Sequence, residues 1–225
     1  EVIRHTERPV PLDHYLFFPG SGLRRIDGRA RFPKGFEPAG GRRRGGRKPK
    51  DRNEVVDVLR RSNDLPVLFF CFSRKDCERR ALETARHRNL LTPDEAQAIE
   101  ALFEEVCTTF EIEPGVELEE LRSLVSKGIA HHHAGMLPLH KELVERLFTS
   151  GLLRLLFATE TFSLGINMPA RTVVFDSLKK FDGVSMNYMR ARDYLQMAGR
   201  AGRQGIDKEG LVVSILEDED VEEAP

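Results

Sequence analysis

The sequence predicts an α/β fold in which a parallel β-sheet carries helices on both faces, preceded by an extended or hairpin segment. Three observations lead there. Short runs at 66–72, 152–158 and 211–216 are apolar almost throughout, as strands covered on both faces are. Stretches with helical spacing of apolar residues separate them, and such alternation needs right-handed crossovers. The 225 residues, 40% of them hydrophobic, can bury a sizeable core.

The elements follow in order. Residues 10–18 read as extended, with prolines at the start, and Pro19-Gly20-Ser21-Gly22 turns the chain into 23–32. That pattern fits a hairpin at the domain's edge. Residues 35–50 are rich in Gly, Arg and Pro without periodicity; too little apolar surface is present to offset ordering, so a flexible segment is expected. A helix is expected at 54–61, a buried strand at 66–72, and helices at 74–87, 93–109 and 117–127. Thr92-Pro93-Asp94-Glu95 opens the second of these three with a capping Thr, a first-turn Pro and acids at the positive helix pole. A short strand at 128–132, an amphipathic helix at 139–148 and strands at 152–158 and 172–175 come next. A helix around 186–201 and a strand at 211–216 complete the series. In such sheets, functional residues are expected in loops at the carboxyl ends of the strands.

Composition excludes several classes. No run approaches the roughly 20 apolar residues that span a bilayer, so no membrane-spanning role is expected. The chain opens on Glu1 without a signal-peptide pattern, which suggests part of something longer. Cys71, Cys77 and Cys107 form no CxxC pair; small buried thiols in a reducing, cytoplasmic setting are expected. The net charge of −1 hides an asymmetry, because 24–52 carry twelve Lys/Arg against Asp27, Glu37 and Asp51. This stretch suits a polyanion partner, and a solvated loop accounts for it equally well. Residues 217–223 are strongly acidic.

Four segments carry chemistry. In Gln196-Met197-Ala198-Gly199-Arg200-Ala201-Gly202-Arg203, helical spacing puts Gln196, Arg200 and Arg203 on one face. Gly199 and Gly202 weaken a helix and permit close backbone approach. Two neighbouring guanidinium groups call for an anion between them, and a triphosphate supplies one with bidentate geometry. The second segment, 158–170, follows a strand; Thr159, Thr161 and backbone N–H groups suit a nucleic-acid phosphate, and Gly165 and Asn167 a nucleotide sugar. The third is His131-His132-His133-Ala134-Gly135. Strand neighbours point to opposite faces, so only His131 and His133 converge, and no metal site is expected. A phosphate-contacting turn with exposed Ala134 and Gly135 amides is the functional reading, and a plain turn the alternative. The fourth is Phe70-Cys71-Phe72-Ser73-Arg74, where the Ser73 hydroxyl can cap a helix or donate to an anion.

These segments, in this order, resemble the superkiller-type DExH-box RNA helicases of superfamily two, and Arg8-Pro9-Val10-Pro11-Leu12-Asp13-His14-Tyr15 resembles the segment joining their two RecA-like domains. The likeness covers most of 8–216 and implies a second RecA-like domain at 53–216. Residues 1–34 would be interdomain linker and hairpin, 35–52 a flexible Gly/Arg-rich segment and 217–225 an acidic tail. It implies that Arg200 and Arg203 are arginine fingers on the ATP γ-phosphate, with Gln196 and Gly199 supporting them and Gly165 and Asn167 beside the nucleotide. Ser73, Arg74, His133, Gly135, Thr159 and Thr161 would face the RNA backbone. The sequence has no GxxxxGK[ST] and no Asp-Glu-x-His/Asp set, so the phosphate cradle and Mg²⁺ ligands are expected on an upstream first RecA-like domain. Alone, the chain is expected to be inactive. An RNA-processing or degradation complex is the expected setting. A DNA helicase of the same superfamily, or a non-catalytic nucleic-acid-binding module, are the alternatives.

Overall fold

The computed structural model describes residues 8–20, 22–26, 53–160, 168–181 and 184–216. The elements are β1 (Leu12–Phe18), β2 (Gly22–Arg25), α1 (Glu54–Arg61), β3 (Val67–Cys71), α2 (Arg74–His87), α3 (Pro93–Thr109) and α4 (Val116–Val125). There follow β4 (Ile129–His132), α5 (Pro138–Thr149), β5 (Leu155–Thr159), β6 (Thr172–Phe175), β7 (Lys179–Phe181), β8 (Met186–Tyr188), α6 (Ala191–Ala198) and β9 (Gly210–Ile215). Seven strands form one sheet in the order β2-β1-β9-β6-β3-β5-β4. Every neighbouring pair is parallel except β1 with β2. This is the α/β architecture expected.

Alternation along the central strands divides the core into two layers. Val67, Phe69 and Cys71 of β3 pack with Val55, Leu59 and Ala81 of α1 and α2. Leu68 and Phe70 point the other way, into a layer with Phe103, Leu143, Val144 and Met197 of α3, α5 and α6. All five residues of β3 and of β5 are buried, which explains why both read as unbroken apolar runs. Helix starts follow local chemistry. Thr92 and Glu95 form a reciprocal capping box at α3, and Ser73 caps α2.

One expectation is met and one changes. The N-terminal hairpin forms at the edge of the sheet, joined to it by β1 pairing with β9 from Leu12↔Gly210 to Phe17↔Ile215. The helix expected around 186–201 is shorter, because Met186–Tyr188 pairs antiparallel with Lys179–Phe181 and the helix spans only Ala191–Ala198. Its end is set by the glycines: Gly199 is the cap, and Gly202 adopts φ +83°, outside helical space. The basic 35–52 segment and the acidic 217–225 end lie outside the described residues. Among the described residues, no helix is long and apolar enough to cross a membrane.

Candidate functional site

The predicted site residues separate onto the two edges of the sheet. Ser73, Arg74, His133, Gly135 and Thr159 stand at the carboxyl ends of β3, β4 and β5. Helix α6 carries the chain back across the sheet, so Arg200 and Arg203 lie at the opposite edge, just before β9 and beside the start of β6. Five-residue strands put roughly 16 Å between those edges. The first group thus lies at the carboxyl edge, where the sequence placed functional loops, and the arginines lie at the other. Thr161, Gly165 and Asn167 lie outside the described residues.

At the carboxyl edge, Ser73 Oγ accepts the Asp76 N–H at 3.0 Å and donates to the Asp76 carboxylate at 2.6 Å. Hydrogen bonds from Ser73 and then Arg79 hold the Asp76 carboxyl below the usual carboxylate range. Capping is thus realised, and the hydroxyl proton would have to leave Asp76 to reach a phosphate. Arg74, next along, is exposed and leans over the His-Ala-Gly turn: a Cβ on Gly135 would come within 3.2 Å of its Cδ and Nη1. The Gly135 amide is not open as expected; it donates to His133 Nδ1 at 3.1 Å. His133 is buried, with Nε2 at 2.9 Å from Glu78, so it shapes the turn from beneath. Thr159 is buried at the end of β5, paired in register with Cys71. Arg74 is the most accessible cation of this group.

The histidines behave as strand geometry requires. His131 and His133 stack in parallel, centroids 5.3 Å apart, while His132 turns to the other face and meets Glu145 at 2.8 Å. Burial, then repulsion from His133 and His132, pushes His131 down to about 4, leaving it neutral at pH 7. Among the described residues, no three or more His, Cys, Asp or Glu are grouped to hold a metal ion, and no Mg²⁺ ligand set is present.

At the amino edge, Arg203 and Asp207 make a two-pronged pair: Nε and Nη2 each reach a carboxylate oxygen at 2.9 Å, and the Arg203 N–H donates to the same carboxylate at 2.8 Å. Burial alone would raise Asp207; the Arg203 hydrogen bonds outweigh it and hold the carboxyl below its ordinary range. Nη1 brings two further N–H groups that this pair does not use. Arg203 lines an open groove of about 560 Å³ with Arg154, Arg171, Asp64 and Glu209. Arg171 pairs there with Asp64 at 3.1 Å, and Arg154 pairs with Glu95. Arg200 is half-buried, and desolvation lowers its otherwise very high pKa. Gln196 and Gly199 are exposed, Gln196 on α6 and Gly199 at its cap. The three polar side chains expected on one helical face are thus split between a helix and a loop.

Of the two glycines expected to allow close approach, Gly202 does so, while Gly199 meets only backbone of its own helix. A Cβ on Gly202 would lie 2.5 Å from Val10 Cγ1 and 3.1 Å from Gly210 Cα. One on Gly210 would lie 2.6 Å from Ala201 C and Gly202 N. The arginine loop therefore rests directly on the backbone that starts β9.

Sequence reasoning missed the β7–β8 hairpin. It stands at the carboxyl edge beyond β6, with Phe181, Val184, Met186 and Tyr188 exposed. Lys180 anchors it through Glu160 at 2.8 Å and Asp193 at 3.5 Å. Of these, Phe181 and Tyr188 have aromatic rings, the kind of surface on which bases stack. Three-residue strands are too short for alternation to reveal them; the signal available was the cluster of exposed apolar residues interrupted by Asp182-Gly183.

Residues 102–205 match the helicase conserved C-terminal domain. The exosome RNA helicase MTR4 of Homo sapiens is 37% identical over 96% of this chain, and 23% of that protein is covered. The ATP-dependent RNA helicase mtr4 of Schizosaccharomyces pombe is 36% identical over 96% of the chain, covering 22% of its own length. Superkiller complex protein 2 of Homo sapiens is 38% identical over 94% of the chain, covering 19%. The chain thus spans about a quarter of the length of the relatives it matches, or less.

Proposed function

We propose that this chain, which belongs to the superkiller-type DExH-box helicases of superfamily two, works as the second RecA-like half of an ATP-dependent RNA helicase. The observation that carries the reading is the separation of the candidate residues onto two edges of the sheet. A glycine-seated arginine loop occupies one edge, and an exposed arginine over a tight turn occupies the other. In this reading Arg200 and Arg203 meet the ATP γ-phosphate, stabilising charge on a phosphoryl group that another domain binds. Gln196 and Gly199 support them, and Gly165 and Asn167 stand beside the nucleotide. Arg74, with Ser73, His133, Gly135, Thr159 and Thr161, contacts the RNA backbone and so positions a strand without reading its sequence.

The sequence lacks a phosphate-binding loop, so the cradle and the Mg²⁺ ligands belong to a first RecA-like domain. Bound Mg²⁺ would neutralise phosphate charge there; the residues of this chain hold no part of it in the reading. Relatives named as RNA helicases favour RNA over DNA, and the exosome and superkiller names favour an RNA-processing or degradation complex. A cytoplasmic setting with reduced cysteines belongs to the same reading. A second reading, a retained scaffold that binds nucleic acid without turnover, draws on the Arg203–Asp207 pair, which neutralises Arg203 without a phosphate.

RNA-stimulated ATPase activity of the chain, alone and joined to its first RecA-like domain, separates these readings. Activity only in the joined protein supports the split site. RNA binding without turnover in the joined protein establishes the scaffold.

A further inference from the structure

The segment that precedes β1 does more than lead into the sheet. Arg8 Nη2 donates to the carbonyls of Gly199 and Ala201, each at 2.7 Å. Those two carbonyls flank Arg200. The carbonyl between them, that of Arg200 itself, accepts the Ala170 N–H at 2.9 Å, and Gly202 N–H returns to the Ala170 carbonyl at 2.8 Å. Three consecutive carbonyls are thus fixed, two by the guanidinium of one residue. Immediately after Arg8, Val10 seats on Gly202, and the Pro11 carbonyl accepts the Gly210 N–H at 2.8 Å. Further along, His14 Nδ1 and the Tyr194 hydroxyl share a 2.8 Å hydrogen bond, and the two rings stack. Residues 8–14 therefore touch the arginine loop, the start of β9 and α6 in succession.

We infer that Arg8 is a positioning residue for Arg200: it sets the backbone on both sides of that guanidinium and ties its placement to the segment that precedes the sheet. Arg8 touches no reacting atom; it acts through the carbonyls of Gly199 and Ala201. The charge matters as well as the shape, because a charged donor bonds carbonyl oxygens more strongly than a neutral one does. A fork with two N–H groups on one nitrogen can also serve two acceptors at once. The inference rests on the arginine-finger reading. A displacement of the chain at Arg8 would reach Arg200 through this side chain together with the Val10, Pro11 and His14 contacts.

The test uses the intact helicase, with Arg8→Gln, Arg8→Lys and Arg200→Ala beside the unaltered protein. Arg8→Gln is expected to lower kcat for RNA-stimulated ATP hydrolysis at least tenfold. KM for ATP and Kd for a single-stranded RNA should stay within about twofold. Arg8→Lys should recover part of kcat, since an ammonium keeps the charge and can serve one carbonyl. Amide hydrogen exchange at Gly202 should quicken in Arg8→Gln. Normal kcat in Arg8→Gln, in a protein that Arg200→Ala inactivates, overturns the inference and leaves the proposed function standing. Equal losses in kcat, RNA affinity and thermal stability overturn it in favour of a merely structural role. If the unaltered protein shows no RNA-stimulated turnover, the proposed function itself fails.

Discussion

Replacing Gly202 with Ala tests how tightly the arginine loop is seated. Gly202 has φ +83°, so any L side chain there costs roughly 1–2 kcal/mol of backbone strain. Its new Cβ would also lie 2.5 Å from Val10 Cγ1 and 3.1 Å from Gly210 Cα. Contacts that short must be relieved by moving Val10 or the β9 backbone, and overpacking of this kind costs about 1–3 kcal/mol. The sum is about 2–5 kcal/mol. Gly205 is the control: its φ is +77°, but a Cβ there meets nothing within 4 Å. Gly205→Ala should lose only the strain. The entropy both variants remove from the unfolded chain cancels in the comparison. Denaturant unfolding at constant m-value reads the difference, expected to be about 1–3 kcal/mol. Adding Val10→Ala to Gly202→Ala should recover part of the loss, because the shortest contact disappears. If Gly202→Ala and Gly205→Ala fall within about 0.5 kcal/mol of each other, the loop is not packed as described.

Arg80 is buried against Asp176 at 2.6 Å, and also bonds Asn53 and covers the Phe69 ring. Arg80→Ala should therefore cost about 1.5–3 kcal/mol in unfolding free energy, by removing the buried cation that bonds the half-buried Asp176 at the end of β6; a loss below about 1 kcal/mol would contradict it. His131 is held neutral in the fold, with its pKa down from 6.5 to about 4. A depressed histidine pKa means the unfolded chain binds the proton first, so stability is full above about pH 6.5 and falls by about 3 kcal/mol as pH drops to about 4. His131→Asn should flatten that slope in pH-dependent unfolding; an unchanged slope would show that other groups set it.

Much of this fold was legible because its signals are local. Val67–Cys71 and Leu155–Thr159 are buried on both faces and so carry no polar interruption, and Ser73 and Thr92 announce their helices by capping chemistry. What was not legible depends on partners distant in sequence. The pairing of β1 with β9 spans nearly the whole described chain, and nothing in either strand names the other. The arginine segment read as one helical face because four-and-three spacing fits a helix, yet the seat on Val10 and Gly210 draws Gly202 into left-handed backbone. The His133–Gly135 and Ser73–Asp76 bonds at the carboxyl edge are local by contrast, two and three residues apart. Residue types marked the positions, while the direction of each proton was set only by the folded turn. Arg8 could not be singled out, since its role exists only once α6 has delivered two carbonyls beside it.

In the proposed function the two edges of one sheet do different work, and paired kinetics in the intact protein separate them. Arg203→Ala should lower RNA-stimulated kcat by about 10³-fold or more, as for arginines supplied across a domain boundary, with RNA affinity little changed. Arg74→Ala should do the reverse: kcat at saturating RNA stays near normal, RNA binding weakens, and the salt dependence of binding falls by about 0.7 in log–log slope. If Arg203→Ala turns over ATP normally, or if both variants lose RNA affinity and kcat together, the division across the sheet is wrong.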